Sequence, residues 1–554
     1  MTALAVNGQS VEAVPGPSLF DYAEGLGIQV PTSCRKQGKC KECMVEIVEG
    51  MEYLSGLTEE ERHLKGKFRL SCRTSVTGAG AVRCHTMRRG NMRIERRALG
   101  LPAGKGGLML DPAVTRSGDR ILIDGEEVAR ATGPIHGIAM DLGTTTVVLR
   151  LFNLETAEIV AEASFENPQR FGGSDVMARI QYDTDNRGKL LMRTLAGYLS
   201  HAIEAFPVDP QTIYEMVVVG NSTMRDLFFG LSVYTIGQSP YRSITEIEMA
   251  GGSSTGTHRA GTSLASTGRR CLLPIHPNAR VYGGPIISGH VGADAAACML
   301  AVDLAHEERP VAIMDIGTNT ELIVGNRRRI LAASCPAGPA FEGGAIACGM
   351  PGLDGAIENV VIDSAGAFHL GVIGGGAPEG ICGSGLVALM SELIRTGRMN
   401  DLGRFEDGEH RIILDAERGI YFTESDVNEL AQAKGANVAG LHVVFSQYGL
   451  DFDDVGVFYL GGGFGRHLSV EASQRIGLIP NVAASRIVQV GNAAIEGASI
   501  ALLSKTRRQE LEELVRRVEH CRLETHPGFF DFFVEGCQFK PVESMPWLTG
   551  KVTA

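Results

Sequence analysis

Cys34-Arg-Lys-Gln-Gly-Lys-Cys40-Lys-Glu-Cys43, with Cys72 after 28 intervening residues, puts three thiols on one loop and a fourth on a later segment. Thiolates in this C-x5-C-x2-C…C arrangement can hold a [2Fe–2S] cluster, in which four sulfur ligands serve two irons. Gly38 lets the loop run close to the sulfurs so that backbone amides point at them. Zinc is the competing chemistry, but zinc cysteines usually arrive as two close pairs, and Cys72 stands alone. Chance cysteines are the remaining alternative. The reading is a chain that handles electrons, with Cys34, Cys40, Cys43 and Cys72 as ligands.

A second set of residues suits a nucleotide. Asp141-Leu-Gly-Thr-Thr-Thr146 and Asp315-Ile-Gly-Thr-Asn-Thr320 repeat one phrase 174 residues apart, each between two apolar runs. Each is expected as a β-hairpin whose turn carries Asp, Gly and Thr. The strand-end carboxylates of Asp141 and Asp315 can hold Mg²⁺ through waters, since magnesium keeps much of its hydration. They are the candidate catalytic pair, organising the metal and the attacking water. Gly143 and Gly317 let the turns approach phosphate oxygens, to which Thr144, Thr145, Thr146, Thr318 and Asn319 donate. A third piece, Leu460-Gly-Gly-Gly-Phe-Gly465, runs an apolar strand into a glycine turn. Gly461, Gly462, Gly463 and Gly465 are expected to lie flat against a base and ribose. Glu321 and Glu342 are further candidates for a water-activating base. The plainer alternative makes these turns tight connections and the aspartates caps.

The elements that must position these groups follow from composition and pattern. The chain has 554 residues, 44% hydrophobic and 21% charged, enough for several well-packed domains. A net charge of −12 argues against nucleic acid as the main partner. No run of 18 apolar residues and no secretory leader is evident, so no membrane span is expected. The twelve cysteines then belong to a reducing cytoplasm, as metal ligands or buried thiols. Arginines crowd the stretch from Arg83 to Arg97, a solvated surface or a docking patch for an acidic electron-transfer partner. From about Gly133 short apolar runs alternate with helical stretches, an α/β pattern. Asp426–Tyr448 and Asn492–Lys505 read as helices, the second rich in small residues, and Ala250–Thr257 reads as a surface loop. The expected division is a cluster domain over 1–85, a basic linker with local strand structure over 86–133, ATPase lobes over 134–306 and 307–505, and a tail packing on the ATPase over 506–554.

The first 80 or so residues resemble a ferredoxin-like [2Fe–2S] domain of β-grasp type; the plant-type spacing differs by one residue in the first gap. The order hairpin, hairpin, glycine turn resembles the actin, Hsp70 and sugar-kinase superfamily, whose two RNase-H-like lobes close on ATP. The fusion of the two resembles the reductive activators of corrinoid-dependent methyltransferases and corrinoid iron–sulfur proteins. Further phrases share that likeness: Val219-Gly-Asn-Ser-Thr-Met224, Ser288-Gly-His-Val-Gly-Ala-Asp294, Ala337-Gly-Pro-Ala-Phe-Glu-Gly343, Ile381-Cys-Gly-Ser-Gly-Leu386, Gly491-Asn-Ala-Ala-Ile-Glu-Gly-Ala498 and the closing His526-Pro-Gly-Phe. The resemblance implies an α/β and α+β multidomain fold and an ATP-hydrolysing iron–sulfur reductase. Its cofactors would be a [2Fe–2S] cluster and ATP with Mg²⁺, and its task to return Co(II) corrinoid to Co(I) in a partner protein. An upstream low-potential electron donor is implied as well, with a homodimer left open. Three other readings stand beside it. One is an activator of the 2-hydroxyacyl-CoA dehydratase kind, for which Cys348 and Cys382 would be the cysteines to inspect. The others are an actin-like-fold phosphotransferase and an ATP-binding electron-transfer or sensing module without turnover.

Overall fold

The first five strands make a sheet whose first and last members in sequence alternate buried with more exposed side chains, leaving one dry face. In the computed structural model, which describes residues 2–87, 110–251, 259–406, 408–463 and 468–543, these are β1 (Thr2–Val6), β2 (Gln9–Ala13), β3 (Met44–Glu49), β4 (Phe68–Leu70) and β5 (Ala81–Thr86). Their order is β2-β1-β5-β3-β4, with β1 and β5 parallel and the other pairs antiparallel. Leu4, Val6, Ile47, Val82 and Cys84 fill the dry face together with Leu19 and Ala23 of helix α1 (Leu19–Gly25). This is the expected β-grasp arrangement.

Residues 110–133, read from sequence as linker, carry a three-stranded antiparallel meander: β6 (Val114–Ser117), β7 (Arg120–Ile123) and β8 (Glu126–Arg130). Val114 and Ile121 are fully buried in the large core that follows, so this stretch is packed, not free. Arg88, Arg89, Arg93, Arg96 and Arg97, the glycine-rich run that follows them, Gly465, most of the 250–257 loop and the last eleven residues lie outside the described residues.

Two six-stranded sheets then repeat one plan. The first joins β9 (His136–Leu142), β10 (Thr146–Asn153) and β11 (Ile159–Glu166) as an antiparallel meander. It then adds β12 (Ile213–Gly220) and β14 (Arg280–Gly283) parallel to β9, with β13 (Leu264–Thr267) at the edge. Among its helices are α2 (Val176–Asp185), α3 (Leu190–Glu204), α4 (Ser222–Phe228), α5 (Ile244–Met249) and α6 (Ala293–Ala301). The second sheet is built the same way from β15 (Val311–Asp315), β16 (Thr320–Gly325) and β17 (Ile330–Cys335). A small sheet of β18 (Ala356–Ile362), β19 (Phe368–Val372) and β20 (Gly380–Ile381), helix α7 (Gly383–Arg395) and the hairpin β21 (Arg411–Asp415) and β22 (Ile420–Thr423) are inserted next. After helix α8 (Glu424–Tyr448), β23 (Phe458–Gly461) and β24 (Ile487–Gly491) complete the parallel side, separated by α9 (Val470–Arg475). Every residue of β12 is buried because helices cover both faces of its sheet.

Helix α8 is buried all round from Ala433 to Phe445, polar Lys434, Asn437 and His442 included, because helix α12 (Phe529–Gly536) lies along its outer side. The C-terminal region also does more than pack on the ATPase. After α10 (Ala493–Leu503) and α11 (Lys505–Val515), β25 (Val518–His520) joins the second sheet as a strand parallel to β17.

The link between the lobes is a helix exchange. Helix α6 follows the first sheet in sequence yet also packs against β15 and β16 of the second, while α10 follows the second sheet and packs on β9 and β12 of the first. The two helices cross in a core of small residues (Ala293, Ala297, Ala494, Ala498), so the lobes share one buried seam.

Candidate nucleotide and cluster sites

Both repeated phrases are turns between antiparallel strands: Leu142 pairs with Val147 in one, Asp315 with Glu321 in the other. The helix exchange brings the two turns face to face across a cleft of about 1270 Å³, measured out to its open mouth. Thr145 of the first lobe and Thr318 of the second stand with their hydroxyls 3.2 Å apart. Both donate to Glu342 Oε2, Thr145 at 2.8 Å. Glu342 thus ties the two turns together from the 3-10 turn after β17.

Asp141, Asp294, Asp315, Glu321 and Glu342 all line this cleft. None has a salt-bridge partner among the described residues. Burial pushes the Asp141 carboxyl up to about 7, with the charge of Asp315 adding to it and a hydrogen bond from Asn492 Nδ2 at 2.8 Å opposing. Burial also lifts Asp294 to about 7, despite the Ala295 amide it accepts at 2.8 Å. Asp315 rises to about 6 by burial, eased by the Cys298 thiol 3.4 Å from Oδ2. Glu321 goes up through burial and the charges of Asp294 and Asp315, and Glu342 through burial alone. So many desolvated carboxyls cost stability unless they share a cation. Mg²⁺ takes oxygen donors and binds through one or two carboxylates while keeping waters, so Asp141 and Asp315 fit that ion, although no three of these carboxyls converge on one point among the described residues.

The glycine turn after β23 meets the cleft with Gly462 and Gly463. Glycine is required at 462 for a reason the sequence did not show. Its φ is +112°, and a Cβ there would sit 2.1 Å from the Ile316 carbonyl oxygen. Gly461 likewise stands against Asp315, where a Cβ would come within 3.0 Å of Oδ1. These two glycines therefore let β23 lie close beside the end of β15, and Gly463 is the one with open space in front of it.

Four groups at the cleft received no role from sequence reasoning: Asn221, Asp294, Cys298 and Asn492. Asn221 caps α4 and donates to Thr144 Oγ1 at 2.9 Å, fixing the first turn. Asn492 caps α10 and holds Asp141. Three of the four sit in phrases already singled out as distinctive, so the signal was present without a partner to read it against. Cys298 was grouped with the buried thiols, and buried it is, but against Asp315. Behind the first turn lies Arg179 of α2, fully buried, its guanidinium donating to Thr144 O at 2.6 Å and Gly173 O at 3.0 Å. Burial brings it down to about 9, and no carboxylate stands within salt-bridge reach among the described residues.

The cysteine loop is shaped by left-handed residues at Arg35, Lys36, Gly38 and Lys41. The thiols come as two pairs. Cys43 Sγ lies 3.2 Å from Cys72 Sγ, and Cys34 and Cys40 share a hydrogen bond. Burial works to raise Cys34, but amides of Cys40, Lys39 and Gln37 aimed at its sulfur bring it down to about 7. The Gly38 amide points likewise at Cys72, and those of Ser33 and Glu42 at Cys40. Among the described residues no three His, Cys, Asp or Glu side chains converge on a single ion. Two thiol pairs in a cradle of amide donors fit a two-iron cluster, with a pair for each iron. The segment leading to Cys72 is anchored by a buried salt bridge: Arg69 Nε donates to Glu61 at 2.9 Å, and Glu61 also accepts the Leu70 amide at 3.0 Å.

This domain is docked on the first lobe. Tyr198 OH of α3 donates to Glu42 O at 2.7 Å, and His201 meets the Glu42 carboxylate at 3.3 Å. Tyr182 OH of α2 donates to His63 O at 3.0 Å, with Phe171 edge-on to both rings. Arg179 and Tyr182, three residues apart on α2, thus connect the first Asp-Gly-Thr turn to the cluster domain. Cys382, by contrast, is buried on Ile357 O at 3.3 Å beside the cleft, with no face to offer a second subunit for a shared cluster.

Residues 4–77 match the 2Fe-2S iron-sulfur cluster binding domain, 136–307 the RACo middle region, and 309–549 the C-terminal domain of RACo, the ASKHA domain. The chain is 31% identical over 453 residues to the corrinoid activation enzyme RamQ of Eubacterium limosum, covering 76% of this chain and 73% of that one. It is 26% identical over 425 residues to the [Co(II) methylated amine-specific corrinoid protein] reductase of Methanosarcina barkeri, covering 72% and 76%. Among solved structures, a reductive activator for corrinoid, iron-sulfur protein shares the fold over 98% of this chain and 99% of its own, with a TM-score of 0.71 at 24% identity.

Proposed function

The chain belongs to the RACo family of reductive activators, and from that membership we infer that ATP hydrolysis in the inter-lobe cleft drives one electron onto the Co(II) corrinoid of a partner protein, giving Co(I). The observation that carries this reading is the pair of carboxylate turns, Asp141 and Asp315, brought face to face and joined through Glu342. A [2Fe–2S] cluster held by Cys34, Cys40, Cys43 and Cys72 supplies the single electron.

The remaining roles belong to the chain's own groups. Asp141 and Asp315 would hold Mg²⁺, which would help organise the attacking water; Asn492 and Cys298 keep the two carboxyls in place. Thr144, Thr145, Thr318 and Asn319, with the amides of both turns, donate to phosphate oxygens that enter between them. Those oxygens compete with Glu342 for Thr145 and Thr318, so nucleotide binding opens the direct tie between the lobes. Gly463 gives the adenosine side its room. Arg179 places a buried positive charge behind the first turn and, through Tyr182, links that turn to the cluster domain.

Reduction of Co(II) is uphill for an ordinary [2Fe–2S] donor, so binding changes must supply the difference. A ligand that favours one state 10⁴-fold shifts the equilibrium by about 5.5 kcal/mol. At about 59 mV per tenfold for one electron, this amounts to roughly 240 mV. The twelve free thiols suit a reducing cytoplasm, and no helix among the described residues is long and apolar enough to cross a membrane.

The test is Asp315→Ala. It should abolish ATP turnover, leave the visible cluster spectrum unchanged because the two sites lie on separate domains, and stop Co(I) formation on the corrinoid partner. Co(I) formed at the wild-type rate would show that ATP does not drive the transfer.

A further inference from the structure

The cluster loop has an inner and an outer end. Cys43 is buried, next to the Glu42 that meets Tyr198 and His201 of the first lobe. Cys34 and Cys40 are half-buried, on a stretch of loop that exposes Arg35, Gln37 and Lys39. Segments 33–43 and 62–73 together carry nine Lys and Arg against one acid, Glu42, in a chain whose net charge is −12. Part of that charge is locally spent: Lys36 pairs with Asp21 and Glu24, Arg62 with Glu59, Arg69 with Glu61, and Arg73 with Glu60. Arg35 and Lys39 are exposed and have no ion pair or side-chain hydrogen bond among the described residues. Each is the neighbour in sequence of an outer cysteine.

We propose that this basic collar, centred on Arg35 and Lys39, is the docking surface for an acidic one-electron carrier protein that refills the cluster while its domain rests on the first lobe. The collar points outward in the docked state, so the carrier needs no domain movement to reach it. One electron leaves the reduced carrier and arrives on the oxidised cluster; no bond changes and no proton is required. Charge of one sign around a small target raises association rates by 10- to 10³-fold and makes them fall steeply with salt. The proposal rests on the cluster assignment, which iron and sulfide content check independently.

The experiment compares wild type with Arg35→Glu/Lys39→Glu and with the neutral pair Arg35→Asn/Lys39→Gln. Asparagine suits the left-handed backbone of Arg35, whose φ is +52°, so this second variant guards against loss of the loop. All three are first shown to hold the same iron. Affinity for an oxidised acidic [2Fe–2S] ferredoxin is then measured by calorimetry, and the rate of reduction by the reduced ferredoxin by stopped flow, at ionic strengths from about 0.02 to 0.3 M. The charge-reversed variant should bind at least tenfold more weakly and accept electrons at least tenfold more slowly at low salt, with a flattened salt dependence and the neutral variant in between. Reduction by photoreduced deazaflavin, a small donor, should be unchanged. Unchanged ferredoxin affinity and rate in an iron-replete variant would overturn the proposal. So would normal electron uptake combined with slowed transfer from the pre-reduced protein to the Co(II) partner, which would assign the collar to the corrinoid protein instead.

Discussion

Gly497→Ala adds one methyl group at the crossing of α6 and α10. A Cβ at Gly497 would stand 2.0 Å from the Ala297 carbonyl oxygen and 2.5 and 2.7 Å from Ala297 C and Cα, all backbone atoms that no rotamer change can move. Ordinary contact begins near 3.4 Å, so the helices must part by about 1.4 Å. Overpacking of this kind costs about 1–3 kcal/mol. At about 2–4 °C per kcal/mol for lobes of this size, the ATPase transition should melt about 2–12 °C lower. The functional loss should be larger than the stability loss, because each helix carries a carboxylate's partner. Asn492 at the start of α10 holds Asp141, and Cys298, next to Ala297, holds Asp315. A shift of about 1 Å between reacting groups can cost about 100-fold in rate. Phosphate release, calorimetric melting and the visible spectrum should therefore show ATP turnover down by about 10- to 100-fold, a lowered transition and an unchanged cluster. Ile500→Ala, on the same helix but half-buried and away from the crossing, should lower the melting temperature and keep most of the turnover. Wild-type turnover in Gly497→Ala, or equal loss in both variants, would refute the reasoning that the crossing sets the distance between the two carboxylates.

Two further outcomes follow from the cluster domain. Cys40→Ala should abolish the iron-dependent spectrum, whereas Cys84→Ala, whose thiol is fully buried in the apolar core of the domain, should keep about two irons and two sulfides per chain. Glu61→Gln should cost this domain about 3–5 kcal/mol, because it leaves Arg69 buried without its partner. Burial opposes ionisation of Glu61, but Arg69 and the amides of Thr58 and Leu70 outweigh it and hold its carboxyl at about 2, below the usual 4.5 of a glutamate. The stabilisation is thus complete above pH 4.5 and is lost as pH falls through 4.5 towards 2, so wild type should converge on the variant across that window. Hydrogen exchange of the amides around Leu70 reads the difference; a pH-independent gap between the two proteins would show that the salt bridge is not its source.

How much of this was legible beforehand divides along a physical line. Local pattern was enough wherever a group's partners lie nearby in the chain or wherever a phrase occurs twice. Three cysteines on one loop announce a cluster, because thiolates, glycine and short spacing are all local requirements. The repeated Asp-Gly-Thr turns announce paired hairpins, because a strand, a turn and a strand are specified within about twenty residues. The long helix ending at Tyr448 was readable from its apolar spacing, and the helix before Lys505 from its run of small apolar residues, for the same reason.

What depended on distant contacts was not. Glu342 lies 197 residues from Thr145, and Asn492 lies 351 residues from Asp141; only the exchange of α6 and α10 between the lobes makes either pair neighbours. Gly461 and Gly462 were read as room for a ligand, yet what demands glycine there is the carbonyl of Ile316 and the carboxylate of Asp315 on an adjacent strand. The full burial of Lys434, Asn437 and His442 is set by α12, nearly a hundred residues further on, and the packed meander before residue 133 by a core that closes only after the second lobe is complete. Sequence alone determined which chemistry this chain carries, since residue type and short spacing decide what can bind iron or a phosphate. The tertiary structure decided which carboxylates meet, how far apart they stand and which end of the cluster loop faces outward, because burial and charge depend on neighbours that the linear order does not contain.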